Sequence, residues 1–210
     1  MIFALFASFI VFCMWLSYEI RKSRRLGEKM EKSFWELEEK ANSTRRKSLD
    51  GLPYITIPSS FLSINFPGEN LRVQEGLEIL HTLSSRKIVN FTGWTNTELK
   101  LEYGAPNINL LMEYDQNYTL LARTLQTIAK ELFTAGLTAD AKSILEFAVS
   151  TKTDVSQSYF LLADIYEREA CPEKIEDLIA TADTLKSVMK NSIVRTLQES
   201  GPYSDLLRSS

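Results

Sequence analysis

Hydrophobic residues dominate the first 18 positions, Met1–Tyr18, which contain no charged side chain before Glu19. A helix rises 1.5 Å per residue, so this run would reach about 27 Å, close to the thickness of the hydrocarbon layer of a bilayer. The run therefore predicts a transmembrane anchor over residues 1–20. A cleaved secretory signal peptide is the alternative, but it would place basic residues before the apolar stretch and small residues after it.

Positive charge follows the apolar run instead of preceding it. Lysine and arginine beside a span are retained on the cytoplasmic side of a membrane. We therefore expect a single-pass protein of the cell membrane, with its N-terminus outside and its C-terminal part in the cytoplasm. The residues predicted to lie at the inner membrane interface are Trp15, Tyr18, Arg21, Lys22, Arg24 and Arg25.

Strong helix formers fill residues 19–41, and a helix end is expected at Ala41–Thr44. We interpret residues 21–47 as a basic juxtamembrane helical stalk. Small or apolar residues recur at helical spacing, at Met30, Phe34, Leu37 and Ala41. This stripe is typical of a short parallel coiled coil, which would allow a weak homodimer, or of a solvated stalk that packs on the body or on lipid. The basic side chains of the stalk would also attract anionic headgroups.

Residues 48–115 change character and predict an extended segment followed by a small mixed, mostly helical region. Prolines and β-branched residues favour extended chain at Leu52–Pro58, which either docks to a partner or covers the core. A short run at Ile88–Phe91 would pair with Tyr54–Ile57, as the only β element.

Helices are expected from Glu69 onward, and Thr95 or Thr97 would cap one that ends before Gly104. Trp94 is interpreted as a core or interdomain residue. These signals place an ordered helical region ahead of the last third of the chain.

The sequence between Tyr118 and Leu185 nearly repeats itself after 34 residues. The pattern predicts two helix-turn-helix pairs within residues 116–200, with second helices beginning near Thr138 and Pro172 and a closing helix over Thr184–Ser200. Residues 201–210 remain as a tail. The recurring pairs are Leu125 with Tyr159, Ile128 with Leu162, Ala129 with Ala163, Leu132 with Tyr166, Gly136 with Ala170, Ala141 with Ile175, Leu145 with Ile179, and Ala148 with Ala182.

This pattern resembles the tetratricopeptide repeat, a helix-turn-helix unit of the same period. The resemblance implies a stack of helical pairs whose first helices line a groove for a segment of another protein. The chain departs from the family at Leu125 and Tyr159, where the family has Trp, at Ile175, where it has Ala, and at Thr153 and Ser187, where it has Pro. A simple helical bundle is the alternative.

The resemblance also implies which residues would face the groove. The Lys-and-Asn arrangement by which some family members hold a terminal carboxylate is not matched, so we do not expect a chaperone-tail ligand. The partner-binding candidates are Arg123, Gln126, Thr127, Lys130 and Phe133 in the first pair, and Gln157, Phe160, Asp164, Glu167 and Arg168 in the second.

Composition narrows the functional classes. The chain has 210 residues, of which 44% are hydrophobic, so it can bury a core. Cys13 lies in the apolar run and Cys171 lies far along the chain in a polar segment, so the two are not expected to form a disulfide that stabilises the fold. This cysteine usage indicates a reducing compartment. Residues 21–47 hold ten basic against five acidic side chains, whereas residues from 48 onward hold 14 against 21. An acidic body argues against binding to nucleic acid.

No nucleotide loop, zinc spacing or hydrolase motif occurs, and the single histidine, His81, has no signalled partner. We therefore expect no cofactor, no metal and no enzymatic activity. The predicted function is a membrane-anchored cytoplasmic scaffold or adaptor that binds another protein through its helical repeats. The alternative is an unrecognised membrane-associated enzyme, with a site assembled from dispersed polar residues.

Overall fold

The computed structural model describes the backbone of residues 2–200 and the side chains of residues 9–199 except position 11. Within that range the protein is mainly helical, as predicted, with eight α-helices, two short 3-10 helices (Ser59–Ser63 and Ala105–Asn107) and no β-strand. The predicted tail, residues 201–210, lies outside the described residues. The helices are α1 (Ile2–Asn42), α2 (Leu71–Ser84), α3 (Asn96–Tyr103), α4 (Ile108–Thr134), α5 (Thr138–Ser150), α6 (Ser156–Arg168), α7 (Pro172–Asp183) and α8 (Lys190–Ser200).

The chain divides into two compact units. The first contains the residues up to Lys47 together with Thr95–Ile108, and thus α1, α3 and the second 3-10 helix. The second contains Ser48–Trp94 and the residues from Asn109 onward, and thus α2 and the helices after α3.

Helix α1 runs without a break from the predicted anchor into the predicted stalk and ends at Asn42, where a helix end was expected. The hydroxyls of Ser43 and Thr44 donate back to the carbonyl oxygen of Lys40, at 2.8 and 3.1 Å, and satisfy the last turn. Among the described residues, no helix is long and apolar enough to cross a bilayer. The transmembrane anchor predicted over residues 1–20 is therefore not supported, because the apolar side chains described there give way to charges from Glu19 onward. The side chains of residues 1–8 and 11, which belong to that prediction, lie outside the described part.

Helix α3 packs against the end of α1. Its N-terminus carries the predicted cap: Thr95 Oγ1 accepts from the N–H of Glu98 at 3.2 Å, and the Glu98 carboxylate accepts from the N–H of Thr95 at 2.7 Å. Glu38 of α1 accepts from the Thr97 hydroxyl and pairs with Lys100 at 3.2 Å. These polar contacts join α1 to α3 in the first unit, where Ala41 is buried.

The second unit contains the two predicted helix pairs, α4 with α5 and α6 with α7. The second helices begin 34 residues apart, at Thr138 and Pro172, which are the two predicted positions. Both pairs turn through a left-handed residue, Gly136 at φ 82° and Ala170 at φ 56°. Glycine adopts this conformation without steric cost, whereas Ala170 has a Cβ and is strained.

The core of the second unit follows the 34-residue pattern. Both members of each recurring pair are buried, apart from the half-buried Ile179 and the exposed turn residues Gly136 and Ala170. Because successive buried positions lie on one stripe of each helix, α5 packs on α6 and α6 packs on α7. The pattern that predicted the helices thus also predicts which of their faces lie inside.

Three details differ from the predictions. The segments 53–58 and 87–91 share one backbone hydrogen bond, from the N–H of Ile55 to the carbonyl of Ile88 at 2.9 Å, and form no strand. Their apolar side chains, among them Ile57, lie in the core, so this segment covers the core. Trp94 was interpreted as a core or interdomain residue, and its side chain is 37% exposed, so it is not part of the core. The closing helix begins at Lys190 because a turn over residues 184–189 follows α7.

Candidate functional site

The first helices of the two pairs bring the predicted groove residues together. Ser158 Oγ on α6 donates to Gln126 Oε1 on α4 at 2.8 Å. Further along the same two helices, the guanidinium carbon of Arg168 lies 4.9 Å from the centroid of the Phe133 ring. The candidates on α4 and α6 therefore lie on one continuous surface, which we call the α4–α6 face.

Two charged residues of this face, both on α6, form an ion pair with each other. Asp164 holds Arg168 one turn away through two contacts, Nη2 to Oδ2 at 3.0 Å and Nε to Oδ1 at 3.2 Å. These two contacts hold the guanidinium group near the Phe133 ring, and a lysine could not make both of them. The other charged or polar candidates are exposed: Arg123, Thr127, Lys130, Gln157 and Glu167.

Helix α8, the predicted closing helix, extends this surface as a continuation of the 34-residue series, which was not predicted. It begins 34 residues after α6, at Lys190 against Ser156, and it packs on both α6 and α7. Ile193 and Leu197 are buried at the positions that Tyr159 and Ala163 occupy on α6. One further application of the 34-residue offset would have placed this helix in the series, with the half-buried Val194 at the position that Phe160 occupies on α6.

The other side of the array is covered by α2. A Cβ added at Gly76 would lie 2.7 Å from Cγ1 of Ile128, so the two backbones approach closely there. Asn70 Nδ2 and Arg72 Nη1 donate to the Glu131 carboxylate at 2.9 and 3.1 Å. These donors, Asn70 first, hold the pKa of Glu131 below its ordinary value of 4.5.

A polar network lies at the turn between α5 and α6, where helix carbonyls need donors. Asn90 Nδ2 donates to the carbonyls of Thr151 and Lys152 at 2.9 and 3.1 Å, and Tyr118 Oη donates to Thr151 at 3.1 Å. Tyr159 Oη donates to the carbonyl of Thr153 at 2.9 Å. Burial raises the pKa of Tyr118 to about 12. The phenols are therefore protonated donors at neutral pH and serve the turn structurally.

Two carboxylates border this network. Asp115 accepts from the N–H of Phe91 at 3.0 Å, and Asp154 accepts from the hydroxyl of Ser187 at 2.8 Å. Burial raises the pKa of Asp115, with a smaller contribution from the charge of Asp154, while the Phe91 hydrogen bond opposes both effects. Each carboxylate thus has an internal donor that fixes a loop.

The second helices α5 and α7 line most of an open cavity of about 320 Å³, to which Leu162 and Tyr166 of α6 also contribute. Tyr166 Oη donates to Glu146 Oε1 at 2.9 Å, and Lys174 Nζ lies 5.1 Å from the ring centroid and 3.7 Å from the same carboxylate. The charges here neutralise one another around the ring. His81 lies elsewhere, exposed on α2.

The predicted membrane-interface residues are exposed on α1 in the first unit. Trp15 and Tyr18 project from the helix surface together with large apolar neighbours such as Phe9 and Phe12. The basic side chains at 21, 22, 24 and 25 are also exposed. In the stalk, Met30, Phe34 and Leu37 are exposed. A homodimer along this stripe stays a prediction.

Comparison of the chain with protein-family models, with curated proteins and with solved structures finds no match.

Proposed function

We propose that the protein is a membrane-attached adaptor whose α4–α6 face, continued by α8, binds a segment of another protein. The observation that carries the proposal is the alignment of first helices at a 34-residue interval, with exposed polar side chains around the half-buried rings of Phe133 and Phe160. Aromatic anchors surrounded by a polar rim are typical of protein interfaces. In tetratricopeptide repeats, which this arrangement resembles, the corresponding face binds partners.

Membrane attachment is the second part of the proposal, and it is assigned to α1. Its support is the apolar sequence of residues 1–18 and the exposure of Trp15 and Tyr18 just before the basic cluster. Aromatic side chains prefer the headgroup level of a bilayer, and lysine and arginine prefer its cytoplasmic surface. We propose that the apolar sequence of residues 1–18, which includes side chains outside the described part, spans the cell membrane and that the second unit is cytoplasmic.

The adaptor role can be tested by site-specific photocrosslinking with the full chain in its native host. A photoreactive residue at position 130 or position 164 should crosslink to the same partner protein. The matched controls are positions 143 and 177, which are exposed on the second helices α5 and α7. Equal labelling from the controls, or no crosslink from either groove position, would contradict the proposed binding face.

The membrane role can be tested by fractionation and by a reporter fused after the last residue. The chain should stay in the membrane fraction after an alkaline carbonate wash, which strips peripheral proteins, and the reporter should behave as cytoplasmic. Release by carbonate would indicate surface association instead of a span. A reporter signal from outside the cell would reverse the proposed topology.

A further inference from the structure

The loop before Trp94 forms a small cavity against the two turns that connect successive helices of the second unit. Its volume is about 200 Å³. We call it the Trp94 pocket, and its residues relevant here are Asn90, Thr92, Trp94, Lys152, Leu185 and Lys186. None of these residues belongs to the α4–α6 face.

Several contacts hold the walls of the pocket in place. Asn90 ties the loop to the α5–α6 turn through the carbonyls of Thr151 and Lys152. At Gly93, φ is 83° and an added Cβ would lie 2.6 Å from the carbonyl oxygen of Lys186, so only glycine allows the loop to approach the α7–α8 turn this closely. The cavity is thus a formed feature of the fold, bounded on two sides by different turns.

The pocket combines an aromatic surface with two ammonium groups. The Trp94 ring is 37% exposed, and Lys186 Nζ lies 5.2 Å from its centroid. Lys152 is exposed and has a left-handed backbone, at φ 60°, because it ends α5 in the same kind of turn that Gly136 and Ala170 make after their helices. Leu185 is buried beneath them.

The charge of the pocket is not neutralised from within. Asp115 and Asp154 of the neighbouring network stay charged, but they accept from the Phe91 N–H and the Ser187 hydroxyl and form no ion pair with either lysine. Among the ion pairs of the described side chains, none includes Lys152 or Lys186. An incoming negative charge would therefore meet two ammonium groups beside a partly desolvated indole.

We propose that the Trp94 pocket binds an acidic peptide segment, with one apolar side chain on Trp94 and Leu185 and carboxylates paired to Lys152 and Lys186. The volume suits a single anchoring side chain, because pockets for drug-sized ligands usually measure about 300–1,000 Å³. Val188, which is 95% exposed, and Met189 add apolar surface on the α7–α8 turn.

A peptide carboxylate suits the site better than a phosphate. Phosphate sites generally use arrays of backbone N–H groups or arginine forks. Here the N–H of Thr92 donates to Asn90 Oδ1 at 2.8 Å and that of Trp94 donates to the Phe91 carbonyl at 2.9 Å. The loop therefore supplies lysine point charges and an aromatic surface, which match a carboxylate next to an apolar residue.

The test uses the full chain in detergent micelles with ¹⁵N-labelled tryptophan indoles. The probes are a synthetic octapeptide of Asp and Glu around one central Phe, the same peptide with Lys in place of the acids, and phosphatidylserine vesicles. The acidic peptide should shift the Trp94 indole resonance saturably and leave Trp15 and Trp35 unchanged. The Lys peptide and the vesicles should leave the Trp94 resonance unchanged.

Variants separate this proposal from the groove. Lys186→Glu, and Lys152→Gly, which also relieves the left-handed strain, should each weaken the peptide roughly tenfold. Lys130→Glu on the α4–α6 face should leave the titration unchanged, and it would do so even if that face proved to have no partner. No saturable shift, an equal shift with Lys186→Glu, or a Trp94 shift produced by the vesicles would overturn the proposal.

Discussion

Gly76 offers the sharpest test of how α2 covers the helical array. In an open helix, replacing glycine with alanine raises the free energy of unfolding by about 1 kcal/mol. At Gly76 the new methyl group would lie 2.7 and 2.9 Å from Cγ1 and Cδ1 of Ile128. Isoleucine in a helix is nearly fixed at χ1, so Cγ1 cannot swing away and the helices must separate. Overpacking of this kind costs about 1–3 kcal/mol. Gly76→Ala should therefore lower the free energy of unfolding by about 1 kcal/mol.

A double-mutant cycle with Ile128→Ala isolates that contact. Ile128 is fully buried, so Ile128→Ala alone should cost about 2–5 kcal/mol. In that background the methyl group at position 76 fills vacated space, so Gly76→Ala should become stabilising and the coupling energy should reach about 2 kcal/mol. Urea unfolding followed by far-UV circular dichroism measures all four proteins, with the exposed Glu75→Ala as the control on α2. A stabilising Gly76→Ala in the native background, or simple additivity, would refute the close approach of α2 and α4.

Three further predictions concern the second unit. Ala129→Leu should lower the free energy of unfolding by about 1–3 kcal/mol because Ala129 is fully buried. Lys130→Ala should change it by less than about 0.5 kcal/mol because Lys130 is exposed, and similar effects of the two changes would show that the register of the helix pairs is wrong. The pKa of Tyr118 is about 12 in the folded protein and about 10.0 in the unfolded chain, so the free energy of unfolding should fall as pH rises from 10 to 12. Tyr118→Phe should make chemical-denaturation curves less pH-dependent in that window. The lowered pKa of Glu131 contributes stability that is present above pH 4.5 and is lost as pH falls below it, so Glu131→Gln should reduce the acid sensitivity of unfolding; an unchanged profile would contradict the ion pair.

Local signals were sufficient for much of the helical architecture. The capping box at Thr95, the turn at Gly136 and the proline at the start of α7 each act within a few residues, so the sequence reveals them directly. The 34-residue recurrence also identifies the buried stripe, because each copy places its apolar side chains at the same helical angle.

Contacts between distant segments could not be predicted in this way. Asn90 donates to the carbonyl of Thr151, 61 positions along the chain, and Asn70 donates to Glu131 across the same interval. No periodicity in the sequence indicates either pair. The core interpretation of Trp94 was wrong because a tryptophan usually favours burial, whereas the loop geometry leaves part of its ring in solvent. The Trp94 pocket depends entirely on such long-range placement, so no sequence motif marks it.

The placement of α8 has a consequence for cooperativity. In stacked helical arrays, each unit exchanges stabilising contacts with its neighbours, so opening can begin at one end without the other. Helix α8 packs on α6 and α7, while α4 is held at the opposite end by α2. Amide hydrogens of α8 should therefore exchange with solvent first, and those in the middle of α4 last. When α8 unfolds locally, the protein would lose the part of the binding surface that α8 adds to the α4–α6 face, while the rest of the core stayed folded.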